Sequence, residues 1–140
     1  MIDLDCKVLK FLHSYEKPIK VSQIAHRIDI KHTTLGSSVK RLKKGGYVNY
    51  EPFHEVLLTS MGIELARELL RHERLLELLF FNELGMTVEE AHQESAKLNL
   101  LLSCNTINKI CEKYGHPKKC PCGDEIIHSK NCHCESELKN

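Results

Sequence analysis

The chain of 140 residues contains no tryptophan, and aromatic residues make up only 6% of it. Aliphatic side chains must therefore build its core, and the 41% apolar content suffices for one ordinary domain or two small ones. No apolar run approaches the ~18 residues that a membrane-spanning helix needs, so no membrane partner is expected. The first ten residues, MIDLDCKVLK, are charged and lack the apolar region of a secretory signal, which makes the cytoplasm the expected location. Also missing are a glycine-rich phosphate loop, a nucleophile elbow and an HExxH motif, and the chain is not expected to be an enzyme. There is no internal repeat.

A net charge of only +1 conceals an asymmetry. Residues 1–50 hold ten Lys/Arg against four Asp/Glu, a local +6. Residues 51–114 hold six against eleven, a local −5, and the remainder is balanced. A basic first third suits a polyanion, whereas an acidic middle suits a cation or simple solvation.

The stretch PIKVSQIAHRIDIKHTTLGSSVKRLKKGGYVNYEPFHEVLLT, residues 18–59, is the most informative. Apolar positions at Leu4, Val8, Leu9, Phe11 and Leu12 suit a first amphipathic helix that ends at Lys17-Pro18. Ser22 is placed to cap a short helix carrying Ile24, Ala25 and Ile28. A turn at Asp29-Ile30-Lys31 leads to a third helix over about Thr33 to Lys44, stopped by Gly45-Gly46. Two β-type runs, Val48–Tyr50 and Val56–Leu58, flank a loop containing Pro52. That order is a winged helix-turn-helix. Beyond it, Thr59 can cap a long helix to about Phe81, with an apolar stripe that includes Ile63, Ala66, Leu69, Leu70 and Leu76. Thr87-Val88-Glu89-Glu90 is a capping box for the next helix, and Ser103 can open another through Cys111 to Tyr114. The expected fold is mainly α: a winged helix-turn-helix over 1–70, a helical dimerisation and metal-sensing domain over 71–117, and a cysteine-rich tail over 118–140.

A helix that reads DNA must offer donors and acceptors to base edges and cations to phosphates. On the third helix Thr33, Thr34, Ser37 and Ser38 supply the first, and Lys40, Arg41 and Lys44 the second. Gly36 is unusual, because a mid-helix glycine costs roughly 1 kcal/mol against alanine. Either the backbone approaches DNA closely there, or the site is simply exposed and unconstrained. Double-stranded DNA is thus the expected partner of these residues.

Four of the seven cysteines fall in the last 21 residues. The run CPCGDEIIHSKNCHC holds Cys120, Cys122, Cys132 and Cys134 as two Cys-x-Cys pairs, with His128 and His133 among them. Clustered thiols in a reducing compartment point to metal or redox chemistry rather than a disulfide framework. Four thiolates could hold zinc or iron, ligate an iron–sulfur cluster, or form reversible disulfides. The alternative is a disordered tail whose cysteines have no role. Cys104 and Cys111 fall seven apart on one helix face, where packing in a dimer core is their expected role.

Over residues 7–127 the chain resembles the diphtheria-toxin-repressor and manganese-transport-regulator (DtxR/MntR) family. The resemblance rests on VSQIAHRIDIKHTTLGSSVKRLKKGGYVNYEP, on VLLTSMGIELARELLRHERLLELLF, and on ELGMTVEEAHQESAKL followed by GHPKKCPCGDEI. It implies a homodimer, with an interface over about 86–115, whose operator binding is promoted by a divalent metal, Fe(II) or Mn(II). Carrying the family's metal ligands over residue by residue gives Glu73, Glu77 and His92, with His72 one place before the first. Three further ligand positions, Cys or Glu and then Glu-His in the family, fall on Ala96, Asn99 and Leu100, so about half of the family's usual site is gone. The N-terminal ligand position falls near Leu4, beside Asp3, Asp5 and Cys6. Otherwise, Glu77 pairs with Arg74, Glu73 is solvated and His92 is an ordinary polar residue.

These readings give a dimeric DNA-binding regulator, expected to repress. Its control is a divalent metal, or a cysteine-bound metal, Fe–S cluster or redox signal that replaces the reduced family site. The alternative is a metal- or redox-binding protein that uses its winged helix to contact protein.

Overall fold

The computed structural model describes residues 1–128. They form two compact units, Met1–Ala66 and a second that begins at Arg67. The division falls four residues before the expected end of the first domain at residue 70.

The first unit opens with α1 (Asp3–Tyr15), β1 (Ile19–Lys20), α2 (Val21–Arg27) and α3 (His32–Lys44). β2 (Val48–Asn49), β3 (Glu55–Leu58) and the start of α4 (Ser60–Leu84) complete it. α1 ends at Glu16, which takes a left-handed φ of 61°. α2 begins two residues earlier than a Ser22 cap would start it, with Lys20 at the N-cap position, and the Gln23 side chain accepts from the Lys20 N–H at 3.1 Å. Asp29, with φ 55°, turns the chain between α2 and α3. Short polar side chains tolerate that conformation better than most.

α1 and α2 both pack on α3. The shared core is aliphatic: Leu9, Ile24, Leu35, Val39 and Leu42 are all essentially inaccessible. The sheet is antiparallel in the order β1-β3-β2, with Ile19 opposite Val56 and Val48 opposite Leu58. β2 and β3 are the wing, and Phe53 at its tip is 94% exposed.

The start of α4 is fixed against β2. Thr59 Oγ1 accepts from the Gly62 N–H at 3.1 Å and donates to the Gly46 carbonyl at 2.6 Å. A Cβ at Gly62 would lie 2.0 Å from the Tyr47 carbonyl oxygen, so only glycine permits this approach. Ile63, expected on the buried stripe, is instead 43% exposed.

The second unit continues α4 and adds α5 (Val88–Leu98) and α6 (Cys104–Lys113). α5 begins with a reciprocal capping box: Thr87 Oγ1 accepts from the Glu90 N–H at 3.1 Å and Glu90 Oε1 from the Thr87 N–H at 3.3 Å. Ser103 accepts from the Thr106 N–H to cap α6.

The segment after Gly115 departs from a free tail. Lys119 and Glu125 form an antiparallel bridge, closed by bonds from Cys120 N–H to Asp124 and from Ile126 N–H to Lys118. Cys120 and Ile126 join Leu75, Leu76, Ile107, Ile110 and Cys111 in one apolar core. Burying an isoleucine contributes about 1.5–3 kcal/mol, enough to hold so short an excursion onto the helices. Arg74 and Arg67 donate to the Glu125 and His128 carbonyls. The unit thus runs through His128, beyond the expected boundary at residue 117.

Candidate functional site

Glu73 and Glu77 are one turn apart on α4, and both are buried, at 8% and 1% exposure. The reading in which Glu73 is solvated and Glu77 pairs with Arg74 is therefore corrected. Arg74 is given to the Glu125 backbone instead. His92, on α5, brings Nδ1 to 2.7 Å from Glu77 Oε1 and 3.7 Å from a Glu73 carboxylate oxygen. The turn at Cys120–Gly123, closed by the Gly123 N–H on the Cys120 carbonyl at 2.9 Å, turns a second set of donors toward the same carboxylate. Cys122 Sγ lies 3.0 Å from Glu77 Oε1. Single donor atoms of Glu77, Cys120 and Cys122 all fall within 4.8 Å of one another. The family-type residues and the first cysteine pair, separate in the sequence analysis, meet at one carboxylate.

The electrostatics of this cluster suit a cation. Glu77 Oε2 is buried and has no hydrogen-bond partner among the described residues. A buried carboxylate costs several kcal/mol unless charge or hydrogen bonds compensate it. Desolvation, and then the Glu77 carboxylate, push the thiols of Cys120 and Cys122 up, to about 11 and about 12. Both are neutral at pH 7 without metal, so a metal would have to displace their protons. Two carboxylates, one imidazole and two thiols form a donor set that a divalent transition metal fits.

Other expected ligands lie elsewhere. His72 is buried on a different face of α4, with Nε2 3.7 Å from Cys104 Sγ. His128 is held through its carbonyl by Arg67 at 2.7 Å and does not join the Glu77–Cys120–Cys122 group. Cys132, His133 and Cys134 lie outside the described residues. Cys111 is buried in the apolar core of its own unit, whereas Cys104 is half-buried and bonded to Glu68 at 2.8 Å. Asp5, placed by the sequence beside an N-terminal ligand position, is committed to two side chains of α3.

That commitment divides α3. Ser38 Oγ donates to Asp5 Oδ1 at 2.6 Å, and Arg41 donates to both Asp5 oxygens at 2.9 and 3.2 Å. Ser38 is fully buried, which removes it from the DNA-facing set. Burial alone would raise the Asp5 pKa, but the Arg41 and Ser38 hydrogen bonds outweigh it and hold the carboxyl below its ordinary value. Thr33, Thr34, Ser37, Lys40 and Lys44 remain exposed, Gly36 half-exposed. Around Gly36 a Cβ would meet nothing within 4 Å. Sequence reasoning missed Asp5 as the residue that orients this helix, since no short-range pattern links positions 33 and 36 residues apart.

A winged helix followed by a helical unit with a carboxylate–imidazole–thiol cluster defines a class of metal-dependent transcription regulators. The chain belongs to the iron-dependent repressor family, whose members are transcriptional repressors rather than enzymes. Residues 8–56 match its N-terminal DNA binding domain, and residues 59–128 its metal binding and dimerisation domain. Among relatives, an uncharacterised HTH-type transcriptional regulator of Methanocaldococcus jannaschii is 30% identical over 74% of this chain and 83% of its own length. The iron-dependent repressor IdeR of Mycobacterium bovis is 27% identical over 75% of this chain, which spans 46% of that protein. A solved manganese-dependent transcriptional repressor in complex with manganese superposes with a TM-score of 0.79 at 29% identity. That match covers 89% of this chain and 58% of the solved one. The chain therefore spans about half the length of these two repressors. Among the described residues, no helix is long and apolar enough to cross a membrane.

Proposed function

We propose that the chain is a homodimeric, metal-dependent repressor that binds operator DNA through α3 and the wing. Its ion is held by Glu73, Glu77, His92, Cys120 and Cys122. The observation that carries this reading is the convergence of His92 Nδ1 and Cys122 Sγ on one oxygen of buried Glu77, at 2.7 and 3.0 Å. Bound there, a divalent cation supplies the positive charge that two buried carboxylates need and takes the place of the thiol protons.

The chain's own residues do the rest. The i, i+4 spacing of Glu73 and Glu77 presents both carboxylates from one rigid face. The Thr87 capping box fixes the start of α5 and hence the position of His92 one turn later. The core packing of Cys120 and Ile126 holds the Cys-Pro-Cys turn in place. Imidazole and thiolate donors favour iron or zinc, whereas manganese prefers an all-oxygen site. Two thiols mixed with carboxylates and an imidazole suit a single ion better than an iron–sulfur cluster, which takes four thiolates. Exposed Leu84 and Leu101, at 63% and 80%, offer apolar surface for a second copy in the unit that matches a dimerisation domain.

The test is duplex DNA binding by anisotropy, using sites selected from genomic fragments, with the protein metal-free and then supplied with Fe(II), Zn(II) or Mn(II). Tighter binding with Fe(II) or Zn(II) than without metal, lost in Cys122→Ser, is expected. Equal binding in all conditions, or activation by Mn(II) alone, would overturn the assignment. Salt-insensitive affinity would remove DNA as the partner.

A further inference from the structure

α4 carries two i, i+4 donor pairs, Glu73/Glu77 and, five residues earlier, Glu68/His72. A five-residue offset turns a helix by about 140° and advances it by about 7.5 Å, so the earlier pair serves a different patch. Its third member is Cys104, the first residue of α6. Cys104 Sγ lies 2.8 Å from Glu68 Oε1 and 3.7 Å from His72 Nε2, and the three donor atoms all fall within 4.8 Å of one another.

We propose that Glu68, His72 and Cys104 form a second divalent metal site of the zinc class, separate from the Glu77 centre and independent of the DNA-binding reading. Zinc–sulfur and zinc–nitrogen bonds of about 2.3 and 2.0 Å at a tetrahedral angle place the two atoms roughly 3.5 Å apart. The observed 3.7 Å between Sγ and Nε2 already matches that edge. The Glu68 oxygen now receives the thiol hydrogen, and replacing that proton by an ion opens the 2.8 Å contact by under about 1 Å, which a flexible glutamate accommodates. A redox or nucleophilic thiol is the weaker reading, because desolvation and Glu68 push Cys104 up to about 11, away from the thiolate such chemistry needs. Three protein ligands leave a fourth position for water, which suits an exchangeable ion.

The experiment titrates the full chain, reduced and stripped of metal, with Co(II) as a spectroscopic substitute for zinc. Bound cobalt is counted by mass spectrometry, and thiolate–cobalt charge transfer is read by absorption. Cys104→Ser, His72→Gln and Glu68→Gln should each bind one cobalt fewer than wild type while keeping the charge-transfer band of Cys120 and Cys122. In the variant C120S/C122S/C132S/C134S a thiolate–cobalt band should survive and vanish when Cys104→Ser is added. Unchanged stoichiometry and affinity in both Cys104→Ser and His72→Gln would overturn the site. If C120S/C122S/C132S/C134S does not fold by circular dichroism, the single variants decide alone. Failure of the Glu77 centre is distinguishable in a C132S/C134S background, where Cys104→Ser would then abolish the thiolate–cobalt band entirely.

Discussion

Glu77 Oε1 is shared between His92 Nδ1 at 2.7 Å and Cys122 Sγ at 3.0 Å, joining residues 15 and 45 positions away in the chain. A carboxylate with two such neighbours and a second oxygen lacking a hydrogen-bond partner among the described residues is the natural anchor of the proposed ion. Cys122→Ser and His92→Gln should each weaken Fe(II) or Zn(II) binding. Losing an outer-shell partner costs roughly 10–100-fold, and losing a direct ligand should cost at least that. Competition against a chelator of known affinity reads the effect. Wild-type affinity in both variants would show that the ion sits elsewhere.

Removing metal should also loosen the second unit. A ligand at 100 times its dissociation constant stabilises the bound state by about 2.7 kcal/mol. Thermal melts with saturating zinc and with chelator should differ in midpoint, and the difference should shrink in Glu77→Gln. Coincident melts of the wild type would mean that no ion binds the folded state preferentially.

The bond from Ser38 to Asp5 predicts that two adjacent serines behave oppositely. Ser38→Ala should destabilise the first unit by about 1.5–3 kcal/mol, the range for hydrogen bonds to charged groups, with little change in DNA sequence preference. Ser37→Ala should leave stability nearly unchanged and alter binding. Denaturant melts and DNA titrations on the two variants separate the roles.

Asp5 also sets an acid limit. Its folded pKa lies below the ordinary value, so its contribution is fully present above the unfolded pKa of about 3.9. It is lost as pH falls through the folded pKa. Denaturant melts from neutral pH into the acid range should therefore show a fall in stability below about pH 4 that Asp5→Asn lacks. The same slope in that variant would assign the acid sensitivity to other carboxylates.

Much of the fold is legible in the sequence because its signals are local. The Thr87 capping box, the Ser103 cap and the apolar spacing of Leu35, Val39 and Leu42 each declare an element within one or two turns. β1 escapes, since two residues between a proline and a helix carry no period, and only pairing of Ile19 with Val56 makes them a strand. The site is legible by half. Glu73, Glu77 and His92 follow from a family pattern, but no spacing rule says that Cys122 closes on Glu77. The same limit hides Ser38, whose residue type matches its exposed neighbour and whose position around α3 alone buries it.

Gly36→Ala tests the exposed side of α3. It should stabilise the first unit by about 1 kcal/mol, because a Cβ there meets nothing within 4 Å. If the backbone approaches DNA at this point, the same methyl should weaken binding. Lys40→Ala and Lys44→Ala should each reduce the salt slope by about 1. Undiminished affinity in Gly36→Ala would leave that glycine outside the interface.

The division of α3 has an evolutionary consequence. Leu35, Ser38, Val39 and Leu42 are tied to the fold, whereas Thr33, Thr34, Ser37 and Lys40 face outward. For a protein that reads DNA through this helix, the outward residues can drift or be redesigned without a stability penalty. Under the proposed DNA reading, single substitutions at these outward positions would change operator preference while leaving the buried face of α3 intact.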